Sequence, residues 1–343
     1  AGDPIGYPRS TKPLTEETIS GKVALSGKPI RIADAYTLEG SLDCVFDTTR
    51  DDALSYRTQA VMSLPLRTYN GKILGVLQLA NPVADDGTPR EFSGQDEHLI
   101  EHFAGLATVA LERAALTRSM VMRMVAMAEL RDPRETGAHV RRVAGYSLEL
   151  FDAWNEQRGI SYAAAQHERD QLRIAAMLHD VGKVGIPDTI LKHPGKLSPA
   201  EYAHMQQHTV IGARLFAGLR TDFDDVARAV ALHHHERWDG KGYPGDVDPD
   251  DELNVSVEPI RSGLAGEAIP QFARIVGLAD VYDALSTARP YKDAWPERKV
   301  RDFIMAERGK HFEPLLVDLF MDRFDRMRRI RRGDTDLSAN SEV

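Results

Sequence analysis

A histidine and an aspartate stand side by side at His179 and Asp180 inside the apolar run MLHDVGKVGIP, Met177 to Pro187, and Lys183 follows one turn later. Burying an ionisable group without a partner costs several kcal/mol, so this pair constrains the fold more than any other stretch. Neighbours on a helix diverge by about 100°, and both side chains can serve one point only if this helix end is enclosed by other helices. The pair demands distant partners.

Candidates for those partners are spread along the chain. Upstream, Glu135 and His139 in ETGAH are spaced i, i+4, which stacks them on one face of a helix. Downstream come His208 in QQHTVIG, the run His233-His234-His235-Glu236, and Asp280 in GLADVYDAL. Imidazoles and carboxylates without cysteine suit divalent iron, manganese or zinc. A lone histidine on an apolar helix is more often a hydrogen-bonded core residue than a ligand. Several ionisable groups on otherwise apolar helices shift the balance towards a multi-metal hydrolytic site, because ligation offsets their burial costs together.

Three stretches carry a family resemblance: HDVGKVGIPDTIL from His179 to Leu191, HHERWDGKGYP from His234 to Pro244, and IPQFARIVGLADVYDALSTARPYK from Ile269 to Lys292. In this order they closely resemble the HD-GYP family, metal-dependent cyclic di-GMP phosphodiesterases, over about Ala126 to Phe320. The resemblance implies that His179, Asp180, His208 and Asp280 hold a core pair of metals, with Asp180 bridging, and that His234 and His235 extend the cluster. Glu135 and His139 match positions that allow a third metal, which points to two or three divalent ions, iron first and manganese as the alternative. It further implies that Asp180 and Lys183 act in catalysis, Lys183 neutralising a substrate phosphate, and that Asp283, Arg289 and Lys292 contact substrate. For these three, an ion-paired helix end is the ordinary alternative. Tyr243, between Gly242 and Pro244 in the motif loop, either shapes the pocket or takes part in protein contacts, and sequence does not choose. Asp239 and Gly242 fix the turn of that loop.

The length of 343 residues suits two domains, and the fold class expected is α+β: a GAF-like sensor at 1–112, a linking helix at 95–131, an all-helical HD-type bundle at 126–330 and a disordered tail at 331–343. One cysteine, Cys44, excludes an internal disulfide and fits a reducing cytoplasm. There is no apolar run long enough for a membrane span, although a chain beginning at Ala1 is compatible with a lost upstream segment. The net charge of −9 argues against a nucleic-acid partner.

In the first segment, β-prone runs at Pro29–Ile32, Ala60–Leu66 and Ile73–Leu79 are punctuated by Asn70-Gly71, a hairpin signal. SGKPIRIADAY, YRTQAVMSLPL and GKILGVLQLAN resemble the GAF family, which implies a small-molecule ligand or a purely structural role. Asn81, Phe92 and Asp96-Glu97 resemble the signature of cyclic-nucleotide-binding GAF domains, with Pro82 departing from its lysine. The plainer reading makes them a loop tie and a helix start capped by Ser93.

From Gln95 to Arg131 apolar residues including Leu99, Phe103, Leu106, Val121 and Met124 recur near coiled-coil spacing, which predicts a homodimer through one long helix. His98 and His102 on it read as solvent-facing. Between Pro244 and Gly263 lies a longer segment than the HD-GYP pattern has, Gly245–Arg261, rich in acidic residues; it reads as a surface loop, with a lid or an acidic face for a partner as the sharper alternative.

Three functions follow from the resemblance: a cyclic di-GMP hydrolase giving the linear dinucleotide or GMP under control of the GAF-like segment, a hydrolase of another cyclic dinucleotide such as cyclic GMP-AMP, or an idle cyclic di-GMP receptor. Protein partners, a diguanylate cyclase among them, belong to the same set of expectations.

Overall fold

A computed structural model describes residues 13–38, 43–131, 137–218, 221–251, 263–288 and 293–333 and divides into two compact units, one up to Arg118 and one from Ser119 onward. The first unit holds α1 (Ile19–Ser26), β1 (Ile30–Ile32), α2 (Thr49–Leu54), β2 (Val61–Arg67) and β3 (Ile73–Ala80), and α3 (Gly94–Arg131) begins in it. The strands form an antiparallel sheet in the order β1-β2-β3, with Ile32 opposite Val61 and Val61 opposite Ala80.

The central strand is buried on both faces because its side chains alternate. Val61 packs with Ile19, Val23 and Ile32, whereas Met62 and Leu64 pack with Phe92 and Ile100. Gly71 turns the hairpin at a φ of +86°, a conformation glycine adopts without steric cost.

The signature-like residues of this unit are occupied locally. Asn81 accepts the Gln59 N–H at 2.6 Å and donates to the Tyr56 hydroxyl and the Arg57 carbonyl at 2.7 Å each. Ser93 and Asp96 cap the start of α3, with Arg90 paired to Asp96. The loop tie and helix start expected of them are what the structure contains.

The second unit takes the end of α3 and adds α4 (Gly137–Gln157), α5 (Tyr162–Met177), α6 (Asp188–Leu191), α7 (Pro199–Gln206), α8 (His208–Arg214), α9 (Asp222–His233), α10 (Gln271–Ser286), α11 (Glu297–Ala306), α12 (Pro314–Asp322) and α13 (Phe324–Arg332). Its core draws Val143 and Phe151 from α4, Leu172 from α5, Leu278 from α10 and Phe320 from α12. Val121 and Val125 join this core, so the expected coiled-coil seam of α3 is partly consumed by its own chain.

Ser198 opens α7 with a capping box to Glu201 and a proline at the first turn. The short α6 lies between Pro187 and the start of α7. α13 buries Phe324, Met327 and Ile330, while Arg326 pairs with Glu149 at 3.0 Å and Arg331 with Glu297 at 2.8 Å. The basic run at the end of the chain is therefore an ion-paired outer face.

The start of the acidic segment is pinned down. Arg228 pairs with Asp250 at 2.8 Å, Arg214 donates to the Asp251 carbonyl at 2.7 Å, and Val247 packs on Val210, Ala213 and Leu232. The remainder of that segment from residue 252, Glu135, Arg289, Lys292 and the tail from residue 334 lie outside the described residues. Among the described residues no helix is long and apolar enough to cross a membrane.

Candidate metal centre

The chain breaks its helix where the site begins. α5 stops at Met177, Leu178 and Asp180 adopt φ/ψ of −107°/6° and −101°/10°, and a 3-10 turn follows over Val181–Gly185. His179 and Asp180 are thus not neighbours on a regular helix, as the sequence suggests, but lie in a turn in the bridge region of backbone space, and both side chains face one cluster.

Two glycines let other helices close on that turn. A Cβ on Gly182 would lie 1.9 Å from the His208 carbonyl oxygen and 2.4 Å from the Gly212 nitrogen, so α8 sits flush against the turn. A Cβ on Gly277 of α10 would lie 2.6 Å from the His234 carbonyl oxygen. Only a missing side chain allows approaches of this kind.

The histidines are held in one tautomer by backbone acceptors. A carbonyl oxygen can only accept, so Nδ1 carries the proton in His179, which donates to Ala176 at 2.7 Å, in His208, which donates to Met205 at 2.7 Å, and in His234, which donates to Val230 at 3.0 Å. Their Nε2 atoms converge on Asp180: 3.1 Å from His179, 3.1 Å from His208 and 3.6 Å from His234. Ligand atoms of Asp180, His208, His234 and His235 all lie within 4.8 Å of one another, as do those of His139, His179 and Asp180. Asp280 closes the other side, its Oδ1 3.5 Å from His139 Nε2 and 3.9 Å from His179 Nε2.

These residues fit a divalent cation on chemical grounds. The Nε2 atoms of His208 and His234 are buried and have no hydrogen-bond partner. With the proton on Nδ1, each turns a lone pair towards a carboxylate oxygen, a contact that is favourable only with a cation between them. Burial holds His234 below its ordinary pKa, against the pull of Asp180. Burial, reinforced by His234 and His208, pushes His235 well below its own. Neutral imidazoles are the form that ligates.

Residues 136–285 match the HD domain family and residues 3–111 match the GAF domain family. The helical unit carries an HD domain. Among curated relatives, the 3′3′-cGAMP-specific phosphodiesterase 2 of Vibrio cholerae is 37% identical over 73% of this chain and 44% of its own length. The cyclic di-GMP phosphodiesterase response regulator RpfG of Xanthomonas campestris is 43% identical over 48% of this chain and 38% of its own. The cyclic di-GMP phosphodiesterase of Thermotoga maritima is 34% identical over 61% of this chain and 50% of its own. The chain thus spans half or less of the length of these relatives.

Within the HD domain, the residues read from sequence fall into distinct places. His139, His179, Asp180, His208, His234, His235 and Asp280 are brought together. Lys183 reaches the cluster too, its Nζ 2.8 Å from Asp180 Oδ2 with the side chain 21% exposed. Asp283 lies deeper than Asp180 and Asp280. It is 1% exposed, beneath His139, and its carboxylate accepts from His139 Nδ1 at 2.8 Å and from Arg142 Nε and Nη2 at 2.7 and 2.8 Å. The resemblance assigned it to substrate by position; in the structure its carboxylate oxygens face His139 and Arg142.

The motif loop packs over the histidine pair. The Tyr243 ring stacks on His235 at 4.8 Å with Tyr202 of α7 beside it at 6.5 Å, and burial, then Tyr202, raises the Tyr243 pKa well above its usual value. Buried Glu236 accepts the Gly245 N–H at 2.6 Å, and a Cβ on Gly242 would lie 2.3 Å from the Arg237 nitrogen. The loop's path therefore depends on Gly242, while Asp239, paired with Arg237, accepts the Lys241 N–H at 3.2 Å.

Sequence reading missed Gly182, Gly277, Arg142, Tyr146 and Tyr202. One signal was available for Arg142, which follows His139 at i+3 and so shares its helix face.

Proposed function

We propose that the HD domain hydrolyses the phosphodiester bonds of a cyclic dinucleotide, with cyclic di-GMP as substrate and the linear dinucleotide or GMP as product. The observation that carries this reading is the pair of buried, partnerless Nε2 atoms on His208 and His234 turned towards the Asp180 carboxylate, since a cluster of this composition suits divalent cations. Cations held there would polarise a phosphate oxygen and activate the attacking water.

The chain's own residues do the rest. His179, Asp180, His208 and Asp280 would hold the core cations, His234 and His235 would extend that donor set, and His139 with Glu135 would serve a further ion. Iron fits this donor set, with manganese as the alternative. Lys183, one turn from Asp180 and 2.8 Å from its carboxylate, would supply positive charge to a non-bridging phosphate oxygen. Arg289 and Lys292 contribute further positive charge to the dinucleotide. Hydrolysis breaks one P–O bond, water supplies the new oxygen on phosphorus, and the released ribose oxygen takes up a proton.

A specific observation favours a second substrate: the V. cholerae relative aligned over 73% of this chain is named as 3′3′-cGAMP-specific. Turnover of cyclic di-GMP and of 3′3′-cGAMP by the metal-loaded protein, with products resolved by chromatography, separates the two. Binding of either without product would leave a receptor, and neither binding nor turnover would sink the proposal.

Regulation by a small molecule at the GAF domain and a homodimer through α3 complete the reading. Leu99, Phe103, Leu106, Met120, Met124 and Met127 are exposed on α3 at spacings of three and four residues, with two heptads between Leu106 and Met120, the pattern of a helix seam. Light scattering that gives a monomer mass at micromolar concentration would remove the dimer.

A further inference from the structure

We infer that Arg142 is a positioning residue of the metal site: acting through Asp283, it fixes the ring of His139 so that Nε2 is presented beside Asp280. The inference rests on the metal reading of the cluster and adds to it a residue that no ligand pattern identifies.

The geometry is a buried relay. His139 donates its Nδ1–H to Asp283 Oδ2 at 2.8 Å, which leaves Nε2 as the ligating atom, 3.5 Å from Asp280 Oδ1. Unlike His179, His208 and His234, whose Nδ1 protons go to backbone carbonyls, His139 relies on a side chain that could rotate. Arg142 removes that freedom. Its Nε and Nη2 take the two carboxylate oxygens of Asp283 at 2.7 and 2.8 Å, a fork that sets the carboxylate plane, and the Tyr146 hydroxyl adds a third donor at 3.3 Å.

Charge gives the arrangement its second function. The Asp283 side chain is 2% exposed, and an ionised carboxylate there is costly without a counter-charge. The Arg142 guanidinium supplies that counter-charge through two hydrogen bonds, so Asp283 remains an acceptor for His139. Because His139 and Arg142 are one turn apart on α4, the ligand and its distal support move as one body. Carboxylates that orient ligating histidines in this way typically change metal affinity 10–100-fold when altered.

The test is metal binding, measured by chelator competition and elemental analysis on wild type, Arg142→Ala, Arg142→Lys and the pair Arg142→Met with Asp283→Asn. The pair removes the buried charge yet keeps a carbonyl acceptor for His139, so it keeps the test open if Arg142→Ala fails to fold. Expected are loss of about one metal equivalent, roughly 10–100-fold weaker binding of that ion, partial recovery in Arg142→Lys, and a lower kcat at nearly constant KM. A folded pair variant with wild-type stoichiometry and affinity overturns the role of Arg142. Wild type that binds no metal at all overturns the metal reading itself, which is a separate result.

Discussion

The carbonyl oxygen of His208 lies so close to Gly182 that a Cβ there would be 1.9 Å from it. The glycine after the His179-Asp180 pair therefore sets the distance between Asp180 and the third histidine. Gly182→Ala should push α8 outward, lower stability by about 1–3 kcal/mol as overpacking does, and weaken metal binding at least about tenfold. Thermal unfolding and metal titration read the two effects, and an alanine protein with unchanged metal affinity contradicts this account.

Asp180 faces Nε2 atoms from three histidines. Asp180→Asn keeps the shape and removes the charge. Its turnover on the better cyclic dinucleotide should fall by about a thousandfold or more, with metal content reduced in parallel. Residual activity within tenfold of wild type would place the chemistry elsewhere.

Arg131, the last residue of α3, donates to the carbonyls of Val184 and Ile186 and pairs with Asp188 at 3.0 Å. It thereby grips the segment that immediately follows Asp180 and Lys183. Arg131→Ala should cost about 1 kcal/mol, since the bonds are partly exposed, and speed amide exchange across residues 181–188. Unaltered exchange in that segment would show that the grip is idle.

His311 titrates at about 4 in the folded chain, because burial and then the Arg237 charge disfavour the imidazolium. An unfolded histidine titrates near 6.5. Between these values the unfolded chain binds more protons, so the stability present above pH 6.5 declines as pH falls towards 4. The loss between pH 7 and pH 5 should be about 2 kcal/mol from this group. Urea unfolding of His311→Gln at both pH values should show that much less acid sensitivity, and an equal slope in both proteins rules the attribution out.

Both domain types and the candidate side chains that the structure brings together were legible in the sequence because they are written in residue type and short-range spacing. The sheet follows from alternating β-prone runs around Asn70-Gly71, and the start of α3 from the capping residue Ser93. Ionisable groups on apolar helices marked out the candidates, and the resemblance to the HD-GYP motifs narrowed them to these side chains. Asp283 shows where that reasoning stops: its chemistry suits a substrate contact, and only its place beneath His139, 144 residues away in the chain, makes it a support.

The sequence by itself determined which elements form and which side chains can bind a cation, since helix periodicity, turn chemistry and donor type act over a few residues. Tertiary structure alone decided that α5 breaks at Leu178 so that His179 and Asp180 face one point, and that Gly182 and Gly277 bring α8 and the end of α9 against it. It also decided which carboxylates face the histidine cluster and which one, Asp283, lies buried beneath His139. These outcomes depend on close contact between segments far apart in the chain, where sub-ångström packing and burial, rather than local preference, set the energy.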